Sequence, residues 1–544
     1  MTGGEALAAQ LCQAGVTTVF GVPGIQLDWA MDGLARHAGS IEFLGTRHEQ
    51  AAAYMADGYA RTSGRPGVFM VVPGPGLLNA GAALSTAFAC SSPVLALVGQ
   101  IPSPHIGSGR GLLHEINGQS ELVRSLTKWS AMARTPSEIP GLVHEALEQL
   151  QHGRPQPVAL ELPPDVLRAT ADVELDDRPL GDGRIVPDEA LVGKAAALLA
   201  AAARPVVVVG SGVLAAGATA ELQGLAEALE APVIMTSNGR GAISERHRLG
   251  CNSLVGRPLL ADADAVLVVG SRFMTSGGTR VRVAAGATVV HVDADTAAFA
   301  AEPAPTIAVH ADAGLALGAL LSSLPERRRT GGQDGAITAA REAAEAQVRA
   351  VEPQCTWART IRAALPDEGI LVNELTQVGY VARVAYPVYE PRTFLTPGYQ
   401  GTLGYGFPTA LGAKVANPAR PVVSITGDGG FGWCLSELAT ARMHGIGVTT
   451  IVFNDGAFGN VRRTQRDEFD GRYIGTDLVN PDFVALANAF GIDGARTTSF
   501  EELTGLLKES LSADEPFLIE VPVGEMPSGW HLVIDGTPAA AAGA

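Results

Sequence analysis

The chain has 544 residues, more than one hydrophobic core usually serves, and about three domains is the expectation for that length. Its 39 basic and 56 acidic residues leave a net charge of −17, which argues against nucleic acid or an anionic membrane surface as partner. Apolar residues make up 47% and aromatic ones only 5%, a balance that suits helices packed closely on sheets. Cys12, Cys90, Cys251, Cys355 and Cys434 are scattered without metal-ligand spacing and read as small buried residues of a reducing compartment. No signal-like segment opens the chain, and its longest apolar runs are strand-length. A soluble, cytoplasmic protein with no membrane span is expected.

Short β-branched or apolar runs alternate with helical stretches along the whole chain, the cadence of βαβ units and parallel sheets. The first third offers strands at TVFGV, EFLGT, GVFMVV, PVLALVG and PVALEL, with helices at QAAAYMADGYART and LLNAGAALSTAF. Residues 170–188 are polar and rich in Asp, Gly and Pro, as a linker should be. Strands follow at RPVVVVGSG, APVIMTSN, AVLVVGSR and TVVHVDAD, and residues 324–353 form a second break around an Ala/Glu helix. The pattern restarts with GILVNEL, TFLTP, VVSITG, TTIVFN and FLIEV, and the tail TPAAAAGA is expected to be disordered. The fold class is α/β, with three doubly wound parallel-sheet domains at residues 1–168, 186–325 and 354–530.

The stretch ITGDGGFG carries the chemistry. Gly427, Gly429 and Gly432 match the dinucleotide pattern G-x-G-x-x-G, and Asp455 lies 27 positions after Asp428, roughly where a ribose-binding acid would stand. A nicotinamide enzyme is one reading, and two ordinary strand-to-helix turns is another. Asp428 weighs against the first, because a carboxylate in such a loop repels a diphosphate. At ~4 Å and an effective dielectric near 20 that repulsion costs about 4 kcal/mol per unit pair. A hard cation between Asp428 and the phosphates removes the conflict, and Asp455 then becomes a second oxygen ligand. The helix after the loop is predicted to begin near Phe431 or Leu435.

The segment GDGGFGWCLSELATARMHGIGVTTIVFNDGAFG resembles the cofactor motif of thiamine diphosphate enzymes, a GDG followed about 25 residues later by Asn-Asn. Within them the chain is most similar to the acetolactate synthase-like group, which also holds 2-oxo acid decarboxylases. The resemblance covers nearly the whole chain and implies an N-terminal pyrimidine-binding, a central and a C-terminal diphosphate-binding domain. It implies Mg²⁺ held by Asp428, Asp455 (in place of the family's second Asn) and the Ala457 carbonyl, with Gly427, Gly429, Gly430, Phe458 and Gly459 around the diphosphate. Thr376 and Gln377 in VNELTQ fall at further diphosphate contacts. In PGYQGTLGYGFP, Gly401 and Leu403 present backbone to the aminopyrimidine, and the Leu403 side chain wedges between the two rings. Glu49 in GTRHEQAAAYMADGYAR aligns with the glutamate that bonds N1′ of the aminopyrimidine, a role that calls for substantial burial and a raised pKa. Pro23, Gly24, Gly74, Pro75, Gly76 and Asn79 match loops on the pyrimidine side. The two halves of the site come from different subunits in this family, so a homodimer or homotetramer is implied.

The likeness thins where substrate is chosen. Thr464 stands where the synthases carry Trp, and Leu113-His114-Glu115 replaces their Phe-Gln-Glu. His114 is therefore a candidate proton relay or donor to a substrate carbonyl, with a structural histidine as the plain alternative, and Gln119 is a second candidate. The tandem His-His of pyruvate and indolepyruvate decarboxylases is absent. Arg272 is kept, but the synthases' acidic pair and flavin contacts have no clear match, so FAD is not carried over. The expected activity is decarboxylation of a 2-oxo acid followed by transfer of the acyl carbanion to a carbonyl acceptor. Simple decarboxylation to an aldehyde and a non-catalytic cofactor-binding paralogue are the alternatives.

Overall fold

A computed structural model describes residues 1–274, 281–300, 303–325 and 332–534. The first sheet comprises β1 (Thr18–Gly21), β2 (Glu42–Gly45), β3 (Gly67–Val71), β4 (Val94–Gly99), β5 (Trp129–Met132) and β6 (Val158–Leu162). The second comprises β7 (Pro205–Val209), β8 (Val233–Met235), β9 (Gly250–Asn252), β10 (Ala265–Val269), β11 (Thr288–Asp293) and β12 (Ile307–His310). The third comprises β13 (Ile370–Asn373), β14 (Phe394–Leu395), β15 (Val422–Gly427), β16 (Val448–Asn454), β17 (Asp493–Arg496) and β18 (Phe517–Pro522). All three are six-stranded and parallel, with orders β2-β1-β3-β4-β6-β5, β12-β11-β10-β7-β8-β9 and β14-β13-β15-β16-β18-β17. Counted from its own first strand, the middle sheet has the 3-2-1-4-5-6 order of dinucleotide folds, whereas the outer two share a different one.

The central strands are continuous apolar runs because helices cover both faces; all five residues of β3, β7 and β10 are buried. Four strands are absent from the sequence reading: β5, β9, β12 and β17. Each lies at a sheet edge, where one side is open and segments such as Gly-Cys-Asn or Asp-Gly-Ala-Arg need no apolar run. Residues 171–188 carry no regular structure, and the Ala/Glu stretch forms the helix Asp334–Arg349. The tail TPAAAAGA lies outside the described residues.

The outer domains meet through the helices Glu49–Ser63 and Gly406–Ala416. Gly58 faces the Thr409 carbonyl and Gly412 the Met55 carbonyl, each so closely that any side chain would collide with backbone. This contact fixes Glu49, the first residue of one helix, against the loop that leads into the other. Among the described residues no helix is long and apolar enough to cross a membrane.

Candidate active site

In both outer sheets the singled-out residues collect at the carboxyl ends of the strands, the edge where parallel α/β sheets bind ligands. In the N-terminal domain β1 leads to Pro23 and Gly24, β2 to Glu49, β3 to the turn Gly74–Gly76 and β4 to the loop bearing His114. The Asn79 amide donates to Glu49 Oε2 at 2.9 Å, and Gly76 comes close enough that a Cβ there would lie 3.6 Å from Glu49 Oε1. Gly74 has φ +58° with the His114 carbonyl pressed against it, a conformation and an approach that require glycine. His114 itself has φ +68°, uncommon for a residue with a side chain, and its buried Nδ1 has no partner among the described residues. The structure thus brings Glu49, Asn79, Gly76, Gly74 and His114 onto one rim.

Two expectations for this rim need correction. Glu49 is half-buried in the single chain, short of the substantial burial expected for its role. Gln119 does not face the rim at all. It is 4% exposed, accepts from Gly74 N at 2.9 Å, and donates to the Gly99 carbonyl and Glu161 Oε2, both at 3.0 Å. Its amide is committed to holding the Gly74 turn, so it is not placed to touch a substrate.

In the C-terminal domain β13 leads to Thr376 and Gln377, β14 to the Gly401–Leu403 loop, β15 to Gly427-Asp428 and β16 to Asp455–Gly459. The helix after β15 starts at Asp428, with Gly427 as its cap, earlier than Phe431 or Leu435. Turning this early places Asp428 beside the end of β16. Its Oδ2 accepts from Gly456 N at 3.0 Å and from Asn480 Nδ2 at 2.6 Å. A Cβ on Gly429 would lie 2.7 Å from the Phe458 ring, and one on Gly459 would strike Asp455. The glycines therefore leave bare backbone lining a narrow cradle, as approach to phosphate oxygens requires. Thr376 caps the helix Gln377–Ala385 by accepting from Gly379 N at 3.1 Å, which leaves its hydroxyl proton free to donate. Leu403 is 37% exposed on its loop, and its carbonyl accepts from Gln50 Nε2 of the same chain at 3.1 Å.

The electrostatics of the cradle suit a cation. Burial raises the pKa of Asp428, and burial together with the Asp428 charge raises that of Asp455 to about 7. Asp428 and Asp455, side by side with the Asp428 charge opposing ionisation of Asp455, make a hard oxygen donor set, and a divalent ion between them reverses that penalty. The donors and the glycine cradle fit Mg²⁺ and a diphosphate.

Four further residues, absent from the sequence reading, join the site. Asn480, 52 positions from Asp428, bridges it to Asn454 Oδ1 at 3.0 Å. Arg463, half-buried, reaches Asn460 and Gln377 Oε1, the latter at 3.4 Å. Glu374, two residues before Thr376, is wholly interior. Only Asn454, beside Asp455, lies within a motif whose spacing points to it.

Comparison with known proteins decides what this arrangement belongs to. Residues 1–122, 192–320 and 376–521 match three families described as thiamine pyrophosphate enzyme: the N-terminal TPP binding domain, the central domain and the C-terminal TPP binding domain. The chain is a thiamine diphosphate-dependent enzyme of the acetolactate synthase-like family. It is 35% identical over 537 residues to a Pseudomonas aeruginosa protein named "probable 2-ketoarginine decarboxylase", covering 96% of this chain and 94% of the relative. It is 31% identical to the acetolactate synthase isozyme 2 large subunit of Escherichia coli, covering 98% of each. A Methanococcus aeolicus protein named "probable acetolactate synthase large subunit" is 33% identical, with 96% of this chain and 92% of the relative covered. Thiamine diphosphate enzymes with these names are carboligases and decarboxylases, and the chain is an enzyme of that kind. The dehydrogenase reading of ITGDGGFG is overturned: the glycines belong to a thiamine diphosphate-binding domain.

Proposed function

We propose that the enzyme decarboxylates a 2-oxo acid and transfers the resulting acyl group to a second carbonyl compound. The observation that supports the cofactor part is geometric: Asp428 and Asp455 stand at the neighbouring ends of β15 and β16, beside a glycine cradle at Gly427–Gly430 that leaves bare backbone for a diphosphate. In this reading Asp428, Asp455 and the Ala457 carbonyl hold Mg²⁺, and Gly427, Gly429, Gly430, Phe458, Gly459, Thr376 and Gln377 surround the diphosphate. Gly401 and Leu403 take the rings, and Pro23, Gly24, Glu49 and Asn79 take the pyrimidine side. Thiamine diphosphate held by these residues would supply a nucleophilic carbon and an electron sink for decarboxylation of the 2-oxo acid. Glu49 holds a proton at the aminopyrimidine ring nitrogen, Asn79 keeps its carboxyl in place, and His114 donates toward the substrate carbonyl.

A homodimer or homotetramer completes the site. Glu49 is half-buried in one chain, and large apolar side chains stand exposed: Leu78, Leu113, Trp433 and Met443. The acidic net charge argues against nucleic acid as partner, and small 2-oxo acids in the cytoplasm are the substrates of this reading. A second reading, simple decarboxylation to an aldehyde, is favoured by the relative named for 2-ketoarginine and by Thr464 in place of the synthases' Trp. The deciding experiment presents 2-oxo acids alone and paired with aldehydes or a second 2-oxo acid, recording carbon dioxide and product mass. Carboligation predicts a product heavier than the donor's aldehyde. Carbon dioxide with only the aldehyde from every pair selects decarboxylation, and no carbon dioxide from any 2-oxo acid sinks both.

A further inference from the structure

Glu374 is 2% exposed at the end of β13, and among the described residues no basic side chain pairs with it. Its Oε1 accepts from Gly404 N at 3.0 Å and Tyr405 N at 3.2 Å, and its Oε2 accepts from the Thr426 hydroxyl. A Cβ on Gly430 would lie 2.6 Å from Oε1, so the glycine turn closes directly over the carboxyl. One side chain thereby touches three segments: the loop carrying Gly401 and Leu403, the last residues of β15, and the turn after it. Burial without a counter-ion is costly and raises this group's pKa to about 7, so the fold has a cheaper way to fill the space than an acid. What a carboxyl offers here is two polar oxygens a fixed distance apart, each aimed at a different segment.

We propose that Glu374 is a positioning residue that locks the Gly401–Leu403 loop to the end of β15, setting the ring contacts of thiamine diphosphate at a fixed distance from its diphosphate contacts. This rests on the cofactor reading above. A rigid spacer of this kind affects a ligand that spans both sets of contacts more than one that uses only the cradle. Glutamine preserves the clamp, because its amide oxygen accepts from Gly404 and Tyr405 while its NH₂ donates to Thr426. Alanine removes it, and Thr426→Val cuts only the strand side.

The test measures Kd by calorimetry, with Mg²⁺ present, for thiamine diphosphate and for inorganic pyrophosphate, together with C2 proton exchange of bound cofactor by NMR. Glu374→Ala is expected to weaken thiamine diphosphate about 10- to 100-fold and pyrophosphate by no more than about threefold. C2 exchange slows in that variant, and Glu374→Gln restores both readouts to within about threefold. Thr426→Val gives the same ligand contrast at about 3- to 10-fold and carries the decision if Glu374→Ala does not fold. Equal losses for the two ligands, no loss for either, or a glutamine variant as impaired as alanine would overturn the clamp. Wild-type enzyme that binds pyrophosphate but no thiamine diphosphate would sink the cofactor reading, and the clamp with it. Unaltered variants on a cofactor-binding wild type sink the clamp alone.

Discussion

The N-terminal and C-terminal sheets share one strand order and carry their site residues at the same edge, yet they hold them in different ways. On the N-terminal rim Glu49 and His114 are half-buried and Asn79 is exposed, and Glu49 has Asn79 as its side-chain partner. In the C-terminal cradle Asp428 is 3% exposed and gathers Gly456 and Asn480, while Glu374 gathers two backbone N–H groups and a hydroxyl. The contrast fits a division of labour in which the cradle is organised before anything binds and the rim waits to be covered. Topology does not assign chemistry, as the middle sheet also shows. It has the dinucleotide strand order, but Gly210 and Gly212 after β7 are packed against the backbone of the Gly270 turn.

Four measurements break or sharpen this contrast. The largest effect is expected on the rim: Glu49→Gln lowers turnover about 10²- to 10⁴-fold and abolishes C2 exchange while thiamine diphosphate still binds. Undiminished turnover would remove the rim from the chemistry. In the cradle, Glu374 keeps its proton in the folded chain up to about pH 7, against 4.5 when unfolded. The folded state therefore binds more protons between those values, and this group's contribution to stability is full below pH 4.5 and is lost as pH rises to about 7. The loss is up to about 3 kcal/mol, read as the difference between wild-type and Glu374→Gln apo-protein in denaturant titrations across that window. Parallel curves would mean the cradle is wetter than its burial indicates. Asp455→Ala should raise the Mg²⁺ needed for half-maximal activity about 100-fold, and an unchanged Mg²⁺ titration takes Asp455 out of the metal site. The smallest effect separates chemistry from backbone: Asn tolerates the left-handed conformation of residue 114, so His114→Asn should keep the melting temperature while kcat/KM falls about 10- to 100-fold. Unaltered kcat/KM leaves His114 a structural residue.

Much of the architecture was legible because buried parallel strands are apolar on both faces, and runs such as PVVVV and VLALVG can hardly be anything else. The edge strands β5, β9, β12 and β17 were not, since an edge needs backbone pairing on one side only and tolerates Gly, Asn, Asp and Arg. At the proposed site, Asp428, Asp455 and Glu49 drew notice through their place in motifs that resemble those of thiamine diphosphate enzymes, since an acid in a turn or at a helix start is by itself ordinary. Asn480 was invisible: it acts from 52 residues away in a stretch with no pattern. Gln119 misled for the opposite reason, as a polar residue near a suspected pocket whose amide proves to be enclosed by Gly74, Gly99 and Glu161.

The sequence by itself determined the α/β class, the three-part organisation and the family, and it singled out the acids proposed for the thiamine diphosphate site, because strand hydrophobicity and loop motifs are local properties. Only the tertiary structure decided that Gln119 faces inward, that Asn480 joins Asp428, that His114 carries a left-handed backbone against Gly74, and that Glu374 ties two loops together. Burial and hydrogen-bond partnership are set by chain segments tens to hundreds of residues apart, and no local pattern encodes which of them meet.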